Sequence, residues 1–279
     1  MTEHVITQII DYTTKLALGL HLKGMMNVQY IVRDDQVYVI EVNPRSSRTV
    51  PFLSKVTGVP MVEVAVKCAL GFSLKQQGYK GGLQLFPNYY AVKAPVFSFN
   101  KMTNVDAVLG PEMKSTGEVM ACDYQYNRTL YKAFLAAGVR IPQTGTILMT
   151  VTDEDKPEAA QIAKGFIDLG YSILATSGTA EYLQEQGIPV QTALKVNEGE
   201  NNLIQDIKAG RIALVINTPA HTSVAAQDCF KIRRASVERA IACLTSIDTA
   251  RGLQKVLRAM RRRVPRVLAL QDLEWEREA

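Results

Sequence analysis

The chain has 279 residues, 47% hydrophobic and 21% charged, with a formal net charge of +5. That balance excludes wholesale disorder, and the length leaves room for one large domain or two ordinary ones. No apolar run approaches a bilayer-spanning length, and MTEHVITQIIDYTTK puts Glu3 and His4 where a signal peptide needs a basic region. Neither a membrane nor a secreted protein is expected. Cys68, Cys122, Cys229 and Cys243 stand apart with no CxxC spacing, as free thiols of a reducing compartment do, so a cytoplasmic location is the expectation. Between Arg251 and Gln271 there are seven Lys or Arg and no acid, so one basic tail supplies the whole positive excess. Such a tail reads as a patch for an acidic partner or as a solvated helix face. The absence of interleaved aromatic residues removes a single-strand stacking platform, and no nucleic-acid partner is expected.

In chain order, Val5, Ile9, Tyr12, Leu16 and Leu20 fall on one helical stripe. Two strands follow, MNVQYIV and VYVIEVN, joined by RDDQ. Side chains alternate along a strand, so Glu41 and Asn43 share a face opposite Tyr38, Ile40 and Val42. Gln29 joins that polar face only if it pairs with Glu41. Pairing Gln29 with Glu41 also pairs Arg33 with Val37 and leaves a three-residue loop of Asp34, Asp35 and Gln36, which is the expectation; a two-residue loop pairs Gln29 with Ile40 instead. The string from Val37 to Pro60 begins as a buried strand and ends as a buried helix. Farther on, Tyr126, Leu130, Tyr131, Phe134 and Leu135 have helical spacing, closed by Gly138, and predict a connecting helix.

From Pro142 onward strands and helices alternate. GTILMTV, YSILAT, VQTAL, IALVINT and ACLTS are strands, each followed by a helical segment. Five βα units with near-continuous apolar strands predict a parallel sheet covered on both faces. Ligands of such sheets sit at the carboxyl ends of the strands, where Lys156, Thr176, Ser177, Thr179, Lys195 and Asn217 fall.

Gln29, Glu41 and Asn43 offer a carboxylate and two amide oxygens, a donor set for Mg²⁺ or Mn²⁺. Arg45 and Arg48 suit bidentate contact with phosphoryl oxygens or an anionic intermediate. By spacing alone, the more ordinary reading is a solvent-facing strand edge followed by a turn. The whole string MNVQYIV…VYVIEVNPRSSRTVPFLSKVTGVP, continuing through YYAVKAPVFSFNKMTNVDAVLGPEMKSTGEVM, resembles the second ATP-grasp domain of the carbamoyl-phosphate synthase large subunit. The resemblance implies that Gln29, Glu41 and Asn43 ligate divalent cations bridged to ATP phosphates. It also implies that Arg45 lies beside carbamate and phosphate; Arg48, from the reading of the residues themselves, is the second candidate for the chemistry. In the family this site phosphorylates carbamate to carbamoyl phosphate.

The family's nucleotide-clamping lysine, loop and adenine wall precede this segment, and here about two dozen residues precede NVQ. The chain is therefore expected to be the carboxyl-terminal part of a longer ATP-dependent ligase, glutamine-hydrolysing, in pyrimidine and arginine biosynthesis. It is expected to be inactive as a synthase by itself. The rest of the large subunit and the small glutaminase subunit are its implied partners, and an oligomer stays open. Ala94 stands where well-studied bacterial members carry an acidic residue that helps to hold ornithine, so the ornithine response stays open here.

ATSGTAEYL leaves a strand, turns on Ser177–Gly178 and enters a helix. Backbone N–H groups at such a helix start, with threonine hydroxyls and nearby lysines, make an anion site. For Thr179 taken singly, a helix cap serves as well; six polar groups at several strand ends favour a phosphate-bearing ligand. GTILMTVTDEDK, GYSILATSGTAEYL, KVNEG and IALVINTP resemble the methylglyoxal-synthase-like domain that ends the same large subunit. The resemblance implies that Lys156, Thr176, Thr179, Lys195 and Asn217 line an effector site. UMP is the common inhibitor of the family, and IMP or phosphoribosyl pyrophosphate activates some members. Pro219 replaces a hydroxyl residue that helps bind the effector in some relatives, so the effector stays open. A methylglyoxal-synthase-type lyase is the rival. Its GGDQQ-type segment is NEGENN here, and neither Glu198 nor Glu200 matches the pattern for the base.

The expected organisation is therefore an incomplete ATP-grasp lobe over 1–122, of α+β type, and a connecting helix within 123–141. A doubly wound, parallel five-stranded α/β allosteric domain with the basic tail follows over 142–279.

Overall fold

A computed structural model describes residues 1–84, 87–102, 105–110, 112–194, 202–219, 223–261 and 266–273. They fall into two compact units, Met1–Asn88 with the described residues from Gln271 on, and Tyr89–Leu270.

The first unit opens with α1 (Glu3–Gly19), capped by the Thr2 hydroxyl, which accepts from the Val5 N–H. Strands β1 (Asn27–Arg33) and β2 (Gln36–Asn43) form an antiparallel hairpin. Its turn is the Asp34–Asp35 pair, both with positive φ (50° and 58°), as a tight two-residue turn requires. Gln29 nevertheless faces Glu41, because the ladder shifts by one residue between Gln29 and Tyr30 and leaves Ile40 as a bulge. The expected three-residue loop is thus corrected. The alternation rule assumed an unbroken ladder, and the bulge separates the register near the site from the register at the turn. Helix α1 is clasped to this turn: Gln8 donates to the Asp35 carbonyl (3.0 Å) and accepts from the Val37 N–H (3.2 Å). Helices α2 (Thr49–Thr57) and α3 (Met61–Ala69) follow, separated at Gly58 with φ 66°.

This unit has little core. Val5, Val37 and Val50 are its buried hydrophobic residues up to Asn88 among those described, while Ile31, Tyr38 and Ile40 are each more than half exposed. The expected buried strand and buried helix are therefore apolar but uncovered. Hydrophobic patterning states what a face seeks, and burial also requires a neighbouring layer.

The second unit begins with β3 (Tyr90–Val96) and β4 (Gly117–Asp123), an antiparallel pair carrying α4 (Tyr126–Ala136). The Thr129 hydroxyl of α4, fully buried, donates to the Asp123 carbonyl at 3.2 Å. Lys132 reaches the buried Asp123 carboxylate at 2.7 Å. These ties pack β3 and β4 with the elements that follow, whereas chain order grouped them with the elements before. Gly138, with φ 80°, ends the helix as expected.

The sheet is built from β5 (Gly145–Thr150), α5 (Lys156–Asp168), β6 (Tyr171–Thr176), α6 (Ser177–Glu185), β7 (Gln191–Ala193), α7 (Leu203–Lys208), β8 (Ile212–Asn217), α8 (Ser223–Glu238), β9 (Ala242–Leu244) and α9 (Ile247–Met260). The strand order is β7-β6-β5-β8-β9, and every neighbouring pair is parallel. Successive residues of β5 enter opposite cores. Ile147 and Met149 pack with Phe166, Leu183 and Leu253, whereas Leu148 packs with Leu203, Ile207 and Ile232. Helices α5, α6 and α9 thus cover one face, and α7 and α8 the other. This is the doubly wound, five-stranded α/β arrangement the sequence predicts. On α9, Arg251 pairs with Glu158 and Asp248, and Arg258 approaches Asp168 at 4.0 Å. Part of the basic tail is therefore a charge-paired helix face.

Candidate functional site

On the hairpin, Glu41 is exposed and Asn43 half-buried. The Asn43 amide nitrogen donates to Glu41 Oε1 at 2.6 Å, and its Oδ1 accepts from Arg45 Nη2 at 3.4 Å. Gln29 stands across the ladder from Glu41, and Asn27 across from Asn43. Pairing therefore gathers Gln29, Glu41 and Asn43 into one row, and Arg45 joins it through Asn43. Arg45 also donates to the Ser46 carbonyl (3.0 Å), which folds its guanidinium back along the chain. Arg48, exposed, stands at the N-cap of α2 and so at that helix's positive end.

The donor chemistry of the row fits a hard divalent cation: one carboxylate flanked by two amide oxygens. Asn43 now presents its nitrogen to Glu41, so a cation at this place requires the amide to turn its carbonyl inward. Among the described residues, no cluster of three or more His, Cys, Asp or Glu stands ready to hold a metal; Glu41 is the one carboxylate of the row.

At the carboxyl ends of the central strands, β5 and β8 are neighbours whose chains leave toward opposite faces, the topological switch of the sheet. The loop after β5 is fixed by its surroundings. The Val151 N–H donates to the Thr179 hydroxyl (3.4 Å), and the Thr152 N–H to the Thr218 hydroxyl (3.0 Å). The Thr218 N–H closes the set on the Thr150 carbonyl at 3.2 Å. Thr179 is thus buried and holds a neighbouring loop rather than capping its own helix. Thr176 occupies the N-cap of α6 with extended backbone, and its hydroxyl does not cap the helix either. Ser177 and exposed Gly178 form the first turn. The Lys156 ammonium stands beside this turn, 3.7 Å from where a Cβ on Gly178 would lie. Its partner is Asp153 at 2.6 Å, an almost fully exposed carboxylate.

The structure thus brings Lys156, Thr176, Ser177 and Thr179 together at the start of α6. Asn217 is placed differently: it is fully buried, its Nδ2 donates to the Cys229 sulfur (3.3 Å), and its Oδ1 accepts from Arg233 (2.8 Å). Lys195, Glu198 and Glu200 lie outside the described residues.

Sequence reasoning missed three further groups. Thr152 and Thr218 follow strand ends in the same way as the residues singled out, so inspection of every strand end finds them. Arg233 shows no such signal. It binds Asp106 through Nε–Oδ1 (2.8 Å) and Nη2–Oδ2 (2.6 Å), far away in the chain. Burial alone would raise the Asp106 carboxyl. The Arg233 hydrogen bonds, the Val108 N–H and the charges of Arg233 and Lys114 outweigh it and hold Asp106 below the usual carboxylate range. A cavity of about 460 Å³ elsewhere in the unit, lined by Val96, Phe97, Lys101, Arg140 and Ile241 among others, includes none of the sequence-predicted site residues.

Residues 1–77 match the family described as carbamoyl-phosphate synthase L chain, ATP binding domain. Residues 158–245 match the MGS-like domain. The first match contains the Gln29–Glu41–Asn43 row, and the second contains the start of α6. In this order along one chain, the two matches are those of the carboxyl-terminal part of the carbamoyl-phosphate synthase large subunit.

Proposed function

We propose that the second unit is a regulatory domain that binds a phosphate-bearing nucleotide at the start of α6. The observation that carries this reading is the uncapped first turn, Thr176–Ser177–Gly178, with the Lys156 ammonium beside it. Free backbone N–H groups, the helix dipole and one lysine favour a dianion there, and Gly178 leaves room for close approach. The phosphate would draw Lys156 away from Asp153, whose carboxylate is solvated and gives it up at small cost. UMP is the first candidate ligand, with IMP and phosphoribosyl pyrophosphate next.

The first unit would contribute Gln29, Glu41 and Asn43 as ligands of Mg²⁺ or Mn²⁺, and Arg45 and Arg48 as partners for phosphate or carbamate oxygens. A divalent cation held there supplies charge neutralisation between nucleotide phosphates. These residues by themselves offer no cover for the adenine or the phosphoryl groups, so the reading assigns carbamate phosphorylation to the assembled synthase. The uncovered side chains of Ile31, Tyr38 and Ile40 favour a further protein layer over the hairpin. The remainder of the large subunit is the proposed cover and the small glutaminase subunit a further partner, in the cytoplasm.

The test is an amide-resonance titration of the chain with UMP. Binding at the proposed place shifts Ser177, Gly178 and Thr179 first. Shifts confined to the hairpin of β1 and β2, or no shifts, contradict the regulatory-site reading.

A further inference from the structure

Arg233 lies within α8 with 5% of its side chain exposed, yet all three of its terminal contacts are charge-assisted or polar. Two go to Asp106 and one to Asn217. Asp106 in turn accepts from the Val108 N–H at 3.1 Å, and the Val108 carbonyl accepts from Lys114 at 2.8 Å. The next residue on the helix, Arg234, donates to the Met102 carbonyl at 2.6 Å. Two successive arginines therefore fasten one segment, between β3 and β4, to the side of the regulatory sheet.

The other end of this chain of contacts is the nucleotide crevice. Asn217 is the last residue of β8, and Thr218 follows it. Through its N–H and its hydroxyl, Thr218 holds the loop after β5. A displacement at the strand ends cannot leave the Asn217 amide unaffected. That amide is fully buried and the guanidinium nearly so, so losing the hydrogen bond between them is costly.

We propose that Arg233 is a positioning residue that couples the strand-end crevice to the segment around Asp106, so that events at one place change the stability of the other. As a regulatory link it rests on the reading of the crevice as a nucleotide site. The coupling itself needs no ligand. It runs in both directions, because equilibrium couplings are reciprocal. Asn217 then acts as a joint between strand end and guanidinium rather than as a contact to the effector.

Amide hydrogen exchange on the ligand-free chain tests this directly, with Asp106→Asn as the variant, because it keeps the shape and removes the charge. The expected result is faster exchange near Val108 and also at the Thr152 and Thr218 amides, by about tenfold. Leu148 and Ile173 in the sheet interior should be unchanged. Asp106→Glu, which retains the carboxylate, should restore part of the protection at Thr218. Acceleration confined to residues 105–110, or equal acceleration in the interior strands, overturns the proposal. A calorimetric arm adds UMP: Asp106→Asn should weaken its binding by a similar factor. Failure of UMP to bind either protein would sink the nucleotide reading, while the ligand-free exchange result would still decide the coupling.

Discussion

Gln29 faces Glu41 across the β1–β2 ladder because Ile40, one residue earlier on β2, is a bulge. This one extra residue, with its apolar, exposed side chain, thus separates the register of the polar row from that of the turn. Deleting Ile40 should restore a continuous ladder without changing the Asp34–Asp35 turn, bringing Gln29 opposite the residue after the deletion. Glu41 and Asn43 would keep their register with Gln29 and Asn27, but the strand would lose its local bend. If that bend gathers the oxygens, Mn²⁺ broadening of the Gln29 and Asn43 side-chain amide resonances should be strong in the parent chain and weak in the deletion variant. Equal broadening in both would show that the bulge does not shape the site.

Thr179 and Thr176 occupy the same turn but carry different loads. Thr179 is buried and accepts from the Val151 N–H, so Thr179→Val leaves that donor without its acceptor and should cost about 1–3 kcal/mol. Thr176→Ala removes a hydroxyl that does not cap α6 and should change stability by about 0.5 kcal/mol or less. Urea unfolding of the two variants separates these roles. Thr176→Ala is therefore the cleaner probe of ligand binding.

Lys132 neutralises Asp123, whose side chain is 2% exposed, at the junction of α4 and β4. Lys132→Met keeps the aliphatic stem and leaves a buried carboxylate with the more distant Arg128, 3.9 Å away. The expected loss is about 3 kcal/mol, read as a fall in the urea midpoint of the second unit. A loss below about 1 kcal/mol would mean that Arg128 moves in to take over the pairing.

Burial pushes the Tyr89 phenol up to about 12, with smaller contributions from Cys122 and Tyr124. An unfolded tyrosine ionises near its ordinary value of about 10. Below that pH both states are neutral and the group contributes no pH dependence. Between about 10 and about 12 the unfolded chain releases its proton while the folded chain retains it, so stability falls as pH rises. Thermal unfolding across this window should show the decline, and Tyr89→Phe should flatten it. An unchanged slope in the variant would assign the decline to other groups.

The sheet was legible because each of its strands is short, apolar and closed by a turn signal, and parallel order follows from the alternation with helices. The start of α6 was legible for the same reason, since Thr176, Ser177 and Gly178 sit where a strand ends and a helix begins. The hairpin register was only half legible. Periodicity places Glu41 and Asn43 on one face, but a bulge at Ile40 leaves no local signature in a run of β-formers. Burial in the first unit was legible only as a pattern: Tyr38 and Ile40 have the pattern of core residues without a layer above them. The contacts of Asn217 were not legible at all. Its position after an apolar strand suggests a ligand contact, whereas its partner Arg233 belongs to a helix and in turn reaches Asp106, a residue before β4. Such links join elements that only the folded chain brings together.

The central claim is that the start of α6 holds a nucleotide phosphate. A calorimetric titration of the chain with UMP, repeated on Thr176→Ala, tests it most directly. The account predicts saturable binding by the parent chain, weakened by the substitution, with the chain stabilised by about 2.7 kcal/mol at a hundredfold excess of UMP over its Kd. Saturable binding that Thr176→Ala leaves unchanged would place the nucleotide elsewhere, and no heat with UMP, IMP or phosphoribosyl pyrophosphate would contradict the account.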